Sequence, residues 1–328
     1  MPKTPMKAMI LAAGLGTRLR PLTLERAKPA IPLLGKPLVV RLIESLMKSG
    51  IGEFRLNLHH LPRTIESIFD HDPWQKLPVY FSYEAEILGT AGGLKNNESF
   101  FIDNTFVMAN GDIVMDFSLA EAIAFHHERQ AMATLVLIPQ QPPLTHYPIR
   151  IDHEGHLWNF KGTAPVGEPT DDVFAFTGIH ILEPEIFDSI PQGRFWEIND
   201  EVYPGLLKSG KAIYGFPVEG YWNDLGDPKR YLQAQRDLFS QSGIHPSVQA
   251  APEAQIDPRA SVGPHVSIEA GCVVEANSSI EDAILWDQAR VLSGASVRNA
   301  ILGAGVVVQG SCHNRVVTRH GEIAIESL

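Results

Sequence analysis

Over roughly the first 200 residues, short apolar runs alternate with amphipathic stretches, the pattern of an α/β fold built on a mostly parallel sheet. Residues 9–13, 54–58, 79–83, 106–109, 134–138 and 174–181 read as strands. Between the first two, residues 37–49 carry apolar side chains at 39, 42, 43, 46 and 47, the spacing of a helix. Pro37 suits its first turn and Gly50 its end. Residues 118–130 and 228–239 read as further helices, the second solvated on the side of Lys229, Arg230, Arg236 and Asp237 and closing the first domain.

Beyond residue 240 the texture changes. Residues 241–254 are polar with Gly, Ser and Pro and read as a linker. A six-residue period then sets in at Ile256, Val262, Ile268, Val274 and Ile280, with smaller side chains recurring at Ala260, Val266, Cys272 and Ser278. Every sixth side chain returning to the interior is the signature of a triangular parallel β-helix. The period loosens at residues 282–286 and partly resumes through Val291, Val297 and Val307, leaving room for about three coils. The expected organisation is a domain of residues 1–240, a linker of 241–254 and a β-helix of 255–328.

Composition narrows the partners. A net charge of −11 argues against a nucleic-acid or anionic-membrane surface, so isolated cations read as placed groups in a pocket. The two cysteines, Cys272 and Cys312, lack metal-ligand spacing and read as buried thiols of a reducing compartment. The N-terminal apolar run, about six residues, is too short for a signal sequence or a spanning helix, so a cytoplasmic location is expected.

The candidate chemistry starts where that first run breaks, at Gly14-Leu15-Gly16, followed by Arg18, Arg20 and then Lys28. Glycines let a backbone approach a polyphosphate and aim N–H groups at it, while cations neutralise charge that develops in nucleotidyl transfer. Leu19 at the third glycine position excludes a dinucleotide fingerprint, and no G-x-x-x-x-G-K-[ST] string occurs. Gly14, Gly16, Thr17, Arg18, Leu19, Pro21, Leu22, Thr23, Lys28 and Pro29 match the signature G-x-G-T-R-L-x-P-L-T…K-P. By these residues the chain resembles the sugar-1-phosphate nucleotidylyltransferases, the nucleotide-sugar pyrophosphorylases.

The resemblance implies a Rossmann-like sheet domain with an appended left-handed β-helix. It also implies attack by a sugar-1-phosphate oxygen on the α-phosphorus of an NTP, with pyrophosphate leaving. Arg18 and Lys28 would be the catalytic cations, and Ala13, Gly14, Gly16 and Thr17 would contact the nucleotide. Asp112 in Asn110-Gly111-Asp112 and Asp224 in Trp222-Asn223-Asp224-Leu225-Gly226 match the aspartates that hold Mg2+ in the family. Asp227 stands where the family has Thr and, before Pro228, reads as a helix cap.

Leu88-Gly89-Thr90-Ala91-Gly92 matches the loop that brings backbone against the nucleobase, with Gly89 and Thr90 as contacts. Glu84, where uracil- or thymine-selecting members place Gln, could accept from guanine N1–H and N2–H₂ and so favours GTP. Asn57-Leu58-His59-His60 resembles an element of guanylyltransferase-like members, although both histidines also suit a plain polar strand end. On the sugar side Gly178, Glu197 and Asn199 match family elements. The usual E-K-P motif is absent; Asn159-Phe160-Lys161-Gly162 takes its place, with Lys161 as the phosphate contact.

GTP and mannose-1-phosphate are the favoured pair. Uridylyl or other transfer to a muramate-, heptose- or glucose-type 1-phosphate is the alternative, and a non-catalytic nucleotide-sugar-binding regulatory subunit is a second. Acyl transfer by the β-helix would need a general-base histidine, for which His265 and His313 are the candidates, and a groove between long coils. A homo-oligomer is expected.

Overall fold

The computed structural model describes residues 5–140, 146–158, 160–162, 168–243 and 247–325. The chain gathers into two compact units. One comprises Met1–Gly14, Val39–Pro62 and Phe69–Trp222, the other Leu15–Leu38, Arg63–Ile68 and Asn223–Leu328.

A seven-stranded sheet organises the first unit. Its strands are β1 (Met6–Leu11), β2 (Ile51–Leu58), β3 (Val79–Tyr83), β4 (Phe106–Asn110), β5 (Ala133–Pro139), β6 (Phe174–Leu182) and β7 (Ile213–Pro217). They lie in the order β7-β5-β6-β4-β1-β2-β3. β1, β2, β3 and β4 are mutually parallel, as are β5 and β7, and β6 runs antiparallel to both neighbours. Ala8, Met9 and Ile10 are wholly buried because helices cover both faces of a parallel sheet, which is why β1 reads as a continuous apolar run rather than an alternation.

Helix α1 (Leu38–Lys48) buries Val39, Val40, Leu42, Ile43 and Leu46, each side chain contributing about 1.5–3 kcal/mol of burial. Met47, expected on the same face, is exposed. The helix ends where Gly50 turns left-handed at φ 89°. α2 (Gly89–Lys95) and α3 (Ala120–Glu128) follow later in the chain.

β6 carries an irregularity that shapes the site. Phe176 pairs with Leu137 and His180 with Leu135, so two extra residues bulge between them. Gly178 supplies the positive φ of 83°, and a Cβ there would stand 2.6 Å from Asn110 Nδ2. Thr177 is buried and its hydroxyl donates to the Val136 carbonyl at 2.8 Å, while Trp222 Nε1 donates to the Thr177 carbonyl at 2.8 Å.

The second unit is built on a parallel β-helix. On one side Gln255–Ile256, Val273–Val274, Arg290–Val291 and Val307–Val308 stack as parallel rungs. On another, Val248–Ala250, Val266–Ile268, Ser279–Leu285, Ser296–Leu302 and Ser311–Thr318 pair in parallel, and Gly321–Ala324 closes the sheet antiparallel. Val248–Ala250 thus joins the β-helix sheet from within the stretch read as a linker, of which residues 244–246 lie outside the described residues.

Ile256 pairs with Val274, 18 residues on, whereas Val274 pairs with Val291 and Val291 with Val308, 17 residues on. A coil one residue short of three hexads is the reason the six-residue period loosens after Ile280. At one corner His265, Asp282, Asn299 and Asn314 stack in successive coils, all left-handed with φ between 47° and 53°. His, Asp and Asn are the residues that tolerate this conformation best after glycine.

Helix α4 (Pro228–Ser242) packs along that corner. Asp227 caps it, its Oδ1 accepting from the Arg230 N–H at 2.9 Å, and Gly243 ends it at φ 64°. Buried Gln235 donates to the His265 and Ala283 carbonyls at 2.8 and 3.0 Å and accepts from Ser267 Oγ at 2.5 Å. Arg236 reaches Asp282 at 3.0 Å and Asn299 at 3.1 Å. Of the face read as solvated, Arg236 docks on this corner, whereas Lys229 is exposed. Cys272 and Cys312 are free and buried.

Candidate active site

In the first unit the chemistry-bearing residues gather at the carboxyl ends of β1, β2, β3 and β4, where open α/β sheets bind ligands. Ala12 N–H, just past β1, donates to Asn57 Oδ1 at 2.9 Å, and Gly111 N–H donates to the Leu11 carbonyl at 2.9 Å. Ala13 is buried and Gly14 exposed. Asp112 is half-buried, two residues past the end of β4.

Asn57 Nδ2 continues the chain of bonds, donating to Glu84 Oε1 at 2.6 Å, while Leu88 N–H donates to Glu84 Oε2 at 3.0 Å. Glu84 is only 6% exposed, so its carboxylate serves to tie the end of β2 to the loop before α2. That is a different use from the direct acceptance of guanine N–H groups expected from the sequence. His59 Nδ1 sits 2.9 Å from the Glu84 carbonyl, a strand-end contact.

The first turns of α2, Gly89–Gly93, owe their glycines to close packing. Cβ atoms at Gly89 and Gly92 would stand 2.7 Å from the Trp196 carbonyl oxygen and 2.5 Å from that of Arg194. A Cβ at Gly93 would meet Glu84 Oε1 at 2.6 Å. Thr90 Oγ1 donates to Glu197 Oε2 at 2.6 Å and accepts from the Ile198 N–H at 2.8 Å. Glu197, expected on the sugar, therefore anchors the start of α2.

Beyond it, residues Ile198–Val202 form a single π-turn, a departure from regular helix often found at functional sites. Asn199 sits in that turn with a buried Oδ1 that lacks a hydrogen-bond partner among the described residues. Lys161 pairs with Asp200 at 2.8 Å, its Nζ lying 5.0 Å from the centre of the Tyr147 ring. Asn159, beside it, lies outside the described residues.

In the second unit, Gly16 takes φ 60°, and a Cβ there would clash with Thr23 Cγ2 at 2.8 Å. Thr23 Oγ1 donates to the Gly16 carbonyl at 2.9 Å, closing a tight loop that leaves Thr17, Arg18 and Arg20 exposed. Lys28 is 7% exposed and its Nζ donates to the Asp224 carbonyl at 3.0 Å. The Asp224 carboxylate accepts from the Gly226 N–H at 3.2 Å and pairs with Arg230. A Cβ on Gly226 would stand 3.2 Å from Arg18 Nη1, so Arg18, Lys28 and Arg230 all bear on this one segment. Sequence reading missed Arg230; its signal was the spacing of six from Asp224, in the first turn of a capped helix.

Among the described residues no group of three or more His, Cys, Asp or Glu could by itself hold a metal ion. His265 Nδ1 is held by Asp282 at 2.9 Å and His313 Nε2 by Ser296 Oγ at 2.9 Å, both linking one coil to the next. No described helix is long and apolar enough to cross a membrane.

Comparison with known proteins finds two family models along the chain. A family model described as nucleotidyl transferase matches residues 7–241, and one described as GMPPB C-terminal domain matches residues 244–324. The chain is 36% identical over 249 residues to a UTP--glucose-1-phosphate uridylyltransferase of Synechocystis sp., covering 72% of this chain and 64% of the relative. It is 34% identical over 243 residues to a mannose-1-phosphate guanylyltransferase of Mycobacterium tuberculosis, covering 73% and 66%. With a mannose-1-phosphate guanyltransferase of Yarrowia lipolytica the identity is 34% over 236 residues, covering 69% and 62%. The matches therefore span less than two thirds of these relatives' lengths. In fold, the chain is similar to HddC of Yersinia pseudotuberculosis, with a TM-score of 0.60 at 24% identity, covering 71% of this chain and 99% of that one.

Proposed function

The chain belongs to the nucleotidyl transferase family, and on that premise we propose that it transfers a nucleotidyl group from an NTP to a sugar-1-phosphate, releasing pyrophosphate. The observation that carries this reading is the gathering of Arg18, Lys28 and Arg230 about Asp224. Both reactants are anionic, so cations fixed where the triphosphate lies lower the barrier by neutralising charge on the transferring phosphorus. Gly14 adds support: its φ is not positive and a Cβ would meet nothing within 4 Å, so no neighbour in the fold requires glycine there. Close approach of a phosphate does. The partnerless Asn199 Oδ1 suits a sugar hydroxyl, and Lys161 would exchange Asp200 for the sugar phosphate.

Asp112 and Asp224 would supply carboxylate oxygens to a divalent cation. Hard oxygen donors suit magnesium, which takes few ligands from protein and the rest from phosphates and water. Bound, it would add charge neutralisation and in-line alignment.

GTP and mannose-1-phosphate remain the favoured pair, supported by the named guanylyltransferase relatives rather than by Glu84. The uridylyltransferase relative favours UTP and glucose-1-phosphate as the second reading. The division read from the sequence, a catalytic domain of residues 1–240, a linker of 241–254 and a β-helix of 255–328, is amended by Val248–Ala250, which pairs with Val266–Ile268 and so belongs with the β-helix; the proposed assembly is a cytoplasmic homo-oligomer without nucleic-acid or membrane partners.

Magnesium-dependent pyrophosphate release tests this, with ATP, GTP, CTP, UTP and dTTP each paired with mannose-, glucose-, N-acetylglucosamine-, muramate- and heptose-1-phosphates. GTP with mannose-1-phosphate should be fastest. UTP with glucose-1-phosphate would establish the second reading, and silence across the panel from folded protein would favour a regulatory binder.

A further inference from the structure

The segment Leu15–Leu38, which carries Arg18 and Lys28, has little regular structure of its own. It holds three single 3₁₀ turns and two two-residue strands, and no α-helix until Leu38. A segment so poor in internal hydrogen bonds takes its order from what it touches, and, Ala27 to Thr64 apart, its long-range bonds reach residues 196 to 294 positions later in the chain.

Glu25 and Arg26, between the two cations, are its main anchors. The Glu25 side chain is 2% exposed; Ala304 N–H donates to its Oε2 at 3.0 Å and Arg319 N–H to its Oε1 at 3.3 Å. Gly303 makes room for it, since a Cβ there would stand 2.9 Å from Oε2. Arg26 pairs with Asp287 and lies 5.0 Å from the centre of the Trp286 ring. A third anchor runs from Trp286 Nε1 to Tyr231 Oη at 3.2 Å, and from that hydroxyl to the Pro32 carbonyl.

We propose that Glu25 and Arg26 are positioning residues, seated on the β-helix coils between Trp286 and Arg319, which hold Arg18 and Lys28 in the geometry the transferring phosphate needs. The proposal rests on the nucleotidyl-transfer reading above. The β-helix then acts on the rate of the reaction without touching substrate, because a cation displaced by a fraction of an ångström loses most where charge is developing.

Gly303→Ala is the sharpest probe, because its φ is ordinary for alanine and the new methyl meets the Glu25 carboxylate. It should lower kcat by about tenfold with KM changed less than about twofold. Glu25→Ala should do the same, and the double variant should be no slower than Glu25→Ala alone. Asp287→Asn, which disturbs no packing, should lower kcat by about threefold. Arg290→Gln, which breaks an exposed ion pair with Glu275 elsewhere on the β-helix, should leave kcat unchanged.

Amide hydrogen exchange on the same proteins without ligand should quicken across residues 15–38, with Ser279–Leu285 and Phe106–Asn110 still protected. Wild-type kcat in both Gly303→Ala and Asp287→Asn, or unchanged exchange across 15–38, would overturn the proposal. An inactive wild type would overturn the functional reading instead, and the exchange result would still decide whether the β-helix orders this segment.

Discussion

Glu84 and Glu197 hold the start of α2 from its two sides, Glu84 through the Leu88 N–H and Glu197 through Thr90. Carboxylates so engaged set shape more than they read a base. Glu84→Gln would present an amide to either Asn57 Nδ2 or the Leu88 N–H, so KM for the nucleotide should rise about three- to tenfold with the order of preference among nucleotides unchanged. A switch of preference from GTP to UTP in that variant would restore Glu84 as the direct reader. On the proposed reading Arg18 would act on charge in transition, and Arg18→Ala should cost on the order of 10²–10³ in kcat; a loss confined to KM would make it a binding residue only. His180 bears on stability instead. Burial pushes its pKa down to about 3, with the Tyr203 hydroxyl 2.6 Å from Nδ1. The unfolded chain takes up this proton near pH 6.5 and the folded chain does not. Its contribution is therefore whole above that pH and falls by about 1.4 kcal/mol per pH unit on the way down to pH 3. Urea midpoints compared at about pH 7.5 and about pH 5 should fall less for His180→Gln than for the natural protein.

The Gly89–Gly93 turns of α2 and the backbone of Arg194–Glu197 are packed as one element. Gly92→Ala, with 2.5 Å to the Arg194 oxygen, should cost about 1–3 kcal/mol in chemical denaturation. Gly205→Ala, in a helix with nothing within 4 Å, should stabilise by about 0.4–1 kcal/mol. The sequence displayed these glycines as a motif but could not display the backbone of Arg194–Trp196 packed against them. The strands were legible because both faces are buried, leaving unbroken apolar runs such as Phe106–Ala109. The cap at Asp227 was legible because capping is local. Arg236 and Gln235 were not, since a polar helix face looks the same whether it meets water or the polar corner of a β-helix. The coil lengths of 17 residues were hidden for a related reason: a hexad frame that slips by one loses its period while keeping its fold.

At the scale of the whole molecule, compactness does not follow the order of the chain. The motif texture changes near residue 240, yet Leu15–Leu38 and Arg63–Ile68 group with Asn223–Leu328. The cause is a few long-range bonds, Arg26 to Asp287 across 261 positions, Glu25 to Ala304 across 279 and to Arg319 across 294. Those separations have a consequence for how the protein is made. Ribosomes add about 5–20 residues per second, so Glu25 is polymerised roughly 15–60 s before Arg319. Through that interval the nascent chain carries Arg18 and Lys28, the proposed catalytic cations, on a segment whose seat does not yet exist. The strands of the sheet can pair as they emerge, whereas competence for nucleotide waits on the last coils. A chain arrested before residue 304 should thus be folded in its sheet, poorly able to turn over substrate, and most open to proteases between residues 15 and 38.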